Sequence, residues 1–324
     1  MNYVICVRRV RNGEFDPEPA PLGATRFLDV PDNARDISPS HEVTAKRAWT
    51  ENVLKEAHAD HDHHDDDDDH DDCGGILVFV HGFNTPTATM LERHKKIKKK
   101  LAKAGFKGVV VSFDWPSDSS VLNYLEDRRD AKASALRLVD QGLKRFVKYQ
   151  QEDCTVNVHV LAHSMGAYVV REAFDDADDN STIASVSWSA SQVMLVSGDV
   201  SASSLSAGNS KSSSLYRHTV RVTNYANPYD RALKLSNIKR VGVAPRAGRI
   251  GLPDDAPGKA VNVDCGAYFD KNRHKFRNLA NAGHTWYFDD QKFFDDVMHT
   301  LQGDIDRNSI PTRKNKGGKL SLKV

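Results

Sequence analysis

Residues 156–170, VNVHVLAHSMGAYVV, leave this chain few ways to fold. β-Branched residues alternate with Asn157 and His159, small residues crowd round Ser164, and residues 165–174 continue at helical spacing. The order is strand, sharp turn, helix. A serine at the tip of such a turn adopts backbone angles that leave no room for bulk two residues to either side, which gives the pattern small-x-Ser-x-small of a nucleophile elbow. Here the small residues are Ala162 and Gly166, with alanine in place of the commoner glycine. Five such residues arise in many ordinary turns. The apolar strand before them and the helix after them carry the constraint.

The same alternation recurs along the chain. Residues 76–80, ILVFV, form a continuous apolar run that suits a strand buried on both faces. HGFN follows it. A basic segment over 90–104 is helical by composition and stops at Gly105. Residues 109–113 make another buried strand, and 121–149 carries Leu136, Val139, Leu143 and Val147 at helical spacing. Further strands are expected at 192–196, 218–225 and 260–263, before a last amphipathic helix using Phe293, Phe294, Val297, Met298 and Leu301. Two short strands at 3–10 and 26–30, separated by a turn region at 16–19, and a helix over 41–57 capped by Ser40 precede all of this. Buried strands alternating with helices specify the α/β class, a mostly parallel sheet with helices on both faces.

A serine hydroxyl attacks well only when a base removes its proton and a third group orients that base. On an elbow the partners follow the serine in the order acid, then histidine. His299 falls inside the last helix, and His274 lies among Arg273, Lys275 and Arg277, whose charge opposes an imidazolium. His284, after Gly283 in a loop ahead of the last helix, is therefore the expected base. For the acid, Asp230 in NPYDR follows the strand 218–225 and stands at the carboxyl edge of the sheet, where α/β sites are built. An aspartate there is also what a helix N-cap looks like. Asp199, one strand nearer the serine, is the alternative acid.

An oxyanion hole takes two backbone N–H donors. Met165, after the serine, and Phe83, beside Gly82 in the HGFN loop, are expected to supply them. His81 is expected to brace that loop, and His163 to face away from the site by strand alternation. Phe83, Trp115, Tyr225, Tyr229 and Trp286 are the aromatics expected near the serine, and the serine-rich stretch 197–214 reads as a mobile lid or a plain loop.

Five segments in this order, ILVFVHGFN, FDWPS, LAHSMGA, NPYDRALKLS and GHTWYF, resemble the α/β-hydrolase superfamily and within it an uncharacterised bacterial branch, domain of unknown function 900, over about residues 75–288. The resemblance implies an eight-stranded, mostly parallel sheet and a Ser-Asp-His triad at Ser164, Asp230 and His284. The resemblance implies no substrate; with the triad, the expected function is a serine hydrolase of the carboxylic-ester (esterase- or lipase-like) kind, working through an acyl-serine and without a cofactor. The partner would be a small-molecule ester or acyl compound, of no class that the resemblance names.

Residues 58–72 hold nine aspartates and five histidines, His58, His61, His63, His64 and His70. Such a tract buries no core and reads as a disordered or metal-ordered insertion. Its imidazoles and carboxylates suit adventitious Zn²⁺, Ni²⁺ or Cu²⁺, so the alternative function is a non-catalytic scaffold or metal-buffering protein. The tract feeds the amino end of the strand 76–80, the edge opposite Ser164, so no catalytic metal is expected. The chain carries a formal +1, and without these nine carboxylates the remainder carries +10. Lys98, Lys99, Lys100, Lys103 and Lys107 are expected to draw the tract over themselves. The basic helix and tail lack interleaved aromatics, so no nucleic acid is expected as a partner.

No apolar run approaches the roughly 20 residues that span a bilayer, so no stable membrane anchor is expected. The short apolar run 3–7 precedes Arg8 and Arg9, the reverse of a signal peptide's order, and a cytoplasmic protein is expected. Cys6, Cys73, Cys154 and Cys265 lie far apart without a C-x-x-C pair, which suits free thiols. The expected organisation is strands and a helix of the main domain over 1–57, the insertion 58–72, the catalytic core 73–308 and a basic flexible tail 309–324.

Overall fold

The apolar runs at 76–80 and 109–113 bury every residue, and a strand buried on both faces requires helices above and below its sheet. The computed structural model meets that requirement. It describes residues 1–21, 23–58, 75–117, 124–148, 156–185, 187–238 and 244–324, with side chains left out at 124–129 and 235–238. The His/Asp tract after His58, with His61, His63, His64 and His70, lies outside the described residues, as do Cys73 and Cys154.

The strands are β1 (Asn2–Cys6), β2 (Arg8–Arg11), β3 (Glu14–Pro19), β4 (Arg26–Val30), β5 (Gly75–Val80), β6 (Val109–Asp114), β7 (Asn157–His163), β8 (Ala190–Val196), β9 (Thr219–Ala226), β10 (Ala260–Asp264), β11 (Arg313–Lys316) and β12 (Lys319–Leu322). Ten form one sheet in the order β11-β12-β10-β9-β8-β7-β5-β6-β1-β4. The strands from β12 to β1 run parallel to one another, and β11 and β4 close the two edges antiparallel. Eight of the ten are thus parallel; the expected strand at 26–30 is the antiparallel edge β4, and β11 and β12 are additional to the expected strands. From β5 the chain moves outward to β6 and then returns to the other side of β5 as β7. That reversal makes the carboxyl ends of β5 and β7 a topological switch point, the kind of place where α/β sheets hold ligands.

One face packs Trp49, Phe146, Val169 and Phe174, and the other packs Ile97, Leu101, Trp286, Phe293 and Phe294. The helix Thr87–Lys103 turns Met90, Leu91, His94, Ile97 and Leu101 inward, which leaves its lysines outside. Lys98 donates to the Met1 carbonyl at 2.7 Å, tying this helix to the start of the chain. The long segment after 121 is helical over Tyr124–Arg137, widens to a π turn over Leu138–Leu143, and resumes at Lys144–Lys148.

Four expectations change. The turn region at 16–19 is instead strand β3, paired with β2, because the prolines sit in a two-stranded ribbon whose partner asks little of their missing N–H groups. Ser40 caps no helix: Ser38 caps the short 3₁₀ turn Pro39–His41, and the helix begins at Lys46. The serine-rich stretch is not a loose lid. It forms the turn Ala202–Leu205 and the helix Ser210–Arg217, with Ser204, Ser212, Ser214, Leu205, Leu215 and Tyr216 buried, and Arg171 donates to Ser204 Oγ at 3.1 Å. Finally, the tail expected to be flexible is the β11–β12 hairpin, turned at Gly317-Gly318 and paired to β10. Its anchor is Arg313, fully buried against Asp296, Thr300 and the Tyr225 hydroxyl.

Candidate active site

Ser164 follows β7 with φ at +57°, in a region that costs a non-glycine residue about 1–3 kcal/mol. The surroundings hold it there. Its N–H donates to the Val196 carbonyl at 3.0 Å, and its carbonyl accepts from the Asp199 N–H at 2.8 Å, so the end of β8 clamps both sides of the turn. The Met165 N–H, at the head of the helix Gly166–Asp179, has no backbone partner among the described residues.

The HGFN loop meets the serine by register. Val80 on β5 is opposite Ala162 on β7, so two residues further Gly82 comes over Ser164. A β-carbon on Gly82 would stand 2.7 Å from Ser164 Cβ and 3.2 Å from its Oγ. Phe83, next in the chain, is half-buried and packs at the margin of the core.

His81 is fully buried, and its ring stacks on Trp115 with centroids 5.4 Å apart. Its Nδ1 lies 2.9 Å from the Gly82 carbonyl and its Nε2 3.1 Å from Asp114 Oδ1. The Trp115 indole N–H donates to the His81 carbonyl at 2.9 Å. Arg8 completes the brace, donating to Asp114 Oδ2 at 2.8 Å and to the Thr85 carbonyl at 3.1 Å. Burial would raise the Asp114 pKa, but Arg8 and His81 outweigh it and hold the carboxyl at about 2. Burial also pulls the His81 pKa down from its ordinary value, against the pull of Asp114.

Asp230 and His284 come together although 54 residues separate them: His284 Nδ1 lies 2.6 Å from Asp230 Oδ2. Asp230 is fully buried, and its Oδ1 accepts from the Leu233 N–H at 3.0 Å. One carboxylate oxygen therefore caps the helix Arg231–Ile238 while the other meets the imidazole. Asn227 donates to the Gly283 carbonyl at 2.7 Å, and a β-carbon on Gly283 would stand 2.6 Å from the Tyr229 carbonyl. These contacts press the His284 loop onto the end of β9.

His163 does not face away as expected. Its Nε2–H donates to the His284 carbonyl at 2.9 Å, and the two rings lie 4.7 Å apart. Burial, with the neighbouring His284 and Arg93, holds its pKa well below the ordinary value. It is a neutral brace behind the His284 loop. Asp199, the alternative acid, makes a buried ion pair with Arg246 at 2.9 Å. The expected aromatic pocket is also smaller: Trp115, Tyr225 and Trp286 are core residues, because each finds a ring or a hydrogen-bond partner inside, which leaves Phe83 and Tyr229 near the surface. Arg8, Asn227 and Arg246 had no role in the sequence reading. Only Asn227, inside NPYDR, carried a signal.

A family model described as alpha/beta hydrolase of unknown function (DUF900) matches residues 57–268. An uncharacterized protein from Nostoc sp. is 38% identical over 60 residues, 18% of this chain and 15% of that protein, so the chain spans only a small part of the curated relative it matches. Among solved structures, lipase B of Aspergillus fumigatus aligns at 14% identity with a TM-score of 0.42, covering 97% of this chain and 69% of the lipase. A cutinase of Trichoderma reesei in complex with a phosphonate inhibitor aligns at 12% identity with a TM-score of 0.31, covering 70% and 74%. No helix among the described residues is long and apolar enough to cross a membrane. The family match takes in β5 through β10 with the serine turn at its centre, and the chain belongs to the alpha/beta hydrolases of unknown function, DUF900.

Proposed function

We propose that this protein is a serine hydrolase that opens carboxylic esters or related acyl compounds through an acyl-serine. The observation that carries the reading is the buried Asp230 held 2.6 Å from His284 Nδ1, on the same carboxyl edge as a serine strained to φ +57°. Ser164 is the nucleophile, His284 the base through its other nitrogen, and Asp230 the group that fixes the tautomer and supports the imidazolium. The ester carbonyl accepts the Ser164 oxygen, and the resulting oxyanion is held by the Met165 and Phe83 N–H groups. His284 then returns the proton to the leaving alcohol. Water, deprotonated by the same imidazole, releases the acyl group and restores the serine.

A fluorophosphonate probe tests this directly, since it modifies an activated serine irrespective of the natural substrate. Labelling is expected in the intact protein and lost in Ser164→Ala. A wild-type protein that stays unlabelled and opens no p-nitrophenyl ester of any chain length would overturn the proposal. The metal-buffering alternative rests on the tract outside the described residues, and no observation in the described part favours it.

A further inference from the structure

A cleft of about 440 Å³ opens beside the His284 loop, between the end of β9 and the helix Gly266–Asn272. Arg231, Arg273 and Arg277 line it together with Tyr229, Phe269 and Gly283, and no carboxylate lines it. Arg273 is paired with Asp270, whereas Arg231 and Arg277 have neither an ion pair nor a hydrogen bond among the described residues. All three arginines are exposed, so they hold no core together. With Arg273 already paired, Arg231 and Arg277 leave two uncompensated positive charges at one cleft, and an anion placed between them is favoured. A guanidinium presents a planar fork of donors that matches a carboxylate or a phosphate two bonds at a time.

Two aromatic rings, Tyr229 and Phe269, join Ala232, Asn281, Ala282 and Gly283 in the rest of the lining. Tyr229 is 45% exposed, and its ring centroid lies 6.1 Å from that of Phe269. An apolar floor with cationic walls suits a small molecule that has an acyl or aryl body and one anionic end. The cleft also shares a wall with the site. Gly283 and Tyr229 line it, and the residues that follow them are His284 and Asp230.

We infer that this cleft receives the anionic end, carboxylate or phosphate, of a substrate whose acyl bond is opened at Ser164; the inference rests on the hydrolase reading above. Two esters of matched length test it, p-nitrophenyl hemisuccinate and p-nitrophenyl butyrate, which differ in a terminal carboxylate. Wild-type kcat/KM is expected to favour the hemisuccinate by about tenfold, equivalent to about 1.4 kcal/mol, and to lose that preference as salt is added. The ratio should collapse towards one in the double variant Arg231→Gln, Arg277→Gln. Calorimetric titration of full-length Ser164→Ala with the hemisuccinate and with p-nitrophenyl phosphate separates carboxylate from phosphate recognition. At least one should bind, and about tenfold more weakly once the two arginines are replaced.

If neither anion binds, or both bind the double variant as well as the parent, the inference is overturned. Neutral-ester turnover without anion binding overturns the cleft and leaves the hydrolase. Anion binding without turnover of any ester or labelling of Ser164 overturns the substrate assignment and the hydrolase reading, and leaves only an anion site.

Discussion

Gly82 is built against Ser164: a β-carbon on the glycine would stand 2.7 Å from the β-carbon of the serine, closer than two such carbons come. The loop after β5 and the turn after β7 thus fix each other's position. Gly82→Ala pushes the loop, and with it the Phe83 N–H, away from the serine. We expect kcat for a p-nitrophenyl ester to fall by about 10²–10³ while circular dichroism stays unchanged, the size of effect that follows loss of one oxyanion donor. Full activity in this variant would remove Phe83 from its proposed role.

The two candidate acids separate by what each holds. Asp230→Asn keeps the shape but lets His284 settle in the wrong tautomer, and kcat should drop by about 10⁴ with little change in KM. Asp199→Asn leaves Arg246 buried without its carboxylate. Its cost should appear as stability, about 3–5 kcal/mol in urea denaturation, with kcat within about tenfold of the parent. The opposite partition would transfer the orienting role to Asp199.

The buried pair Arg313–Asp296 predicts a long-range effect of a residue in the edge hairpin. Arg313→Ala strands Asp296, fully buried on the last helix, and should cost about 3–5 kcal/mol. Urea denaturation measures it. A loss below about 1 kcal/mol would mean that the hairpin adds little to the sheet.

Acid should unfold the protein earlier than its surface charge suggests. His94 and His159 are buried, and desolvation brings each to about 3 from an ordinary 6.5. Between those values the unfolded chain binds protons that the folded chain does not, so stability rises with pH across that window and levels off above it. Asp114, held at about 2 against an ordinary 3.8, acts in the same direction, and its contribution is lost as pH falls below about 4. The urea midpoint should therefore decline steadily from about pH 7 to about pH 4. His159→Leu should flatten part of that decline; a midpoint indifferent to pH in this range contradicts the account.

Much of this was legible in the residues themselves. The runs at 76–80 and 109–113 and the elbow at Ser164 announce a parallel sheet because apolar residues on both faces of a strand have no other use. The contact between Asp230 and His284 was reachable because an elbow orders its partners along the chain. What stayed hidden depends on distant pairing. KNKGGKLSL is basic and glycine-bearing, and only the buried Asp296 makes Arg313 an anchor. Arg8 looks like any surface charge after a strand until Asp114, 106 residues on, is folded beneath it. His163 misled because alternation says which face a side chain takes and says nothing of a loop that later covers that face.

The family match runs from residue 57 to residue 268, and the sheet extends past it on both sides. β1 and β4 cover β6, and β12 and β11 cover β10. A chain trimmed to the matched region would keep Ser164 and Asp230 but lose His284, Arg8 and Arg313. It would also expose the bare backbone of two parallel strands, β6 and β10. Unpaired strands of that kind recruit other chains, so the trimmed protein should precipitate on expression. The flanking segments act as the seals that keep this fold from polymerising through its own sheet.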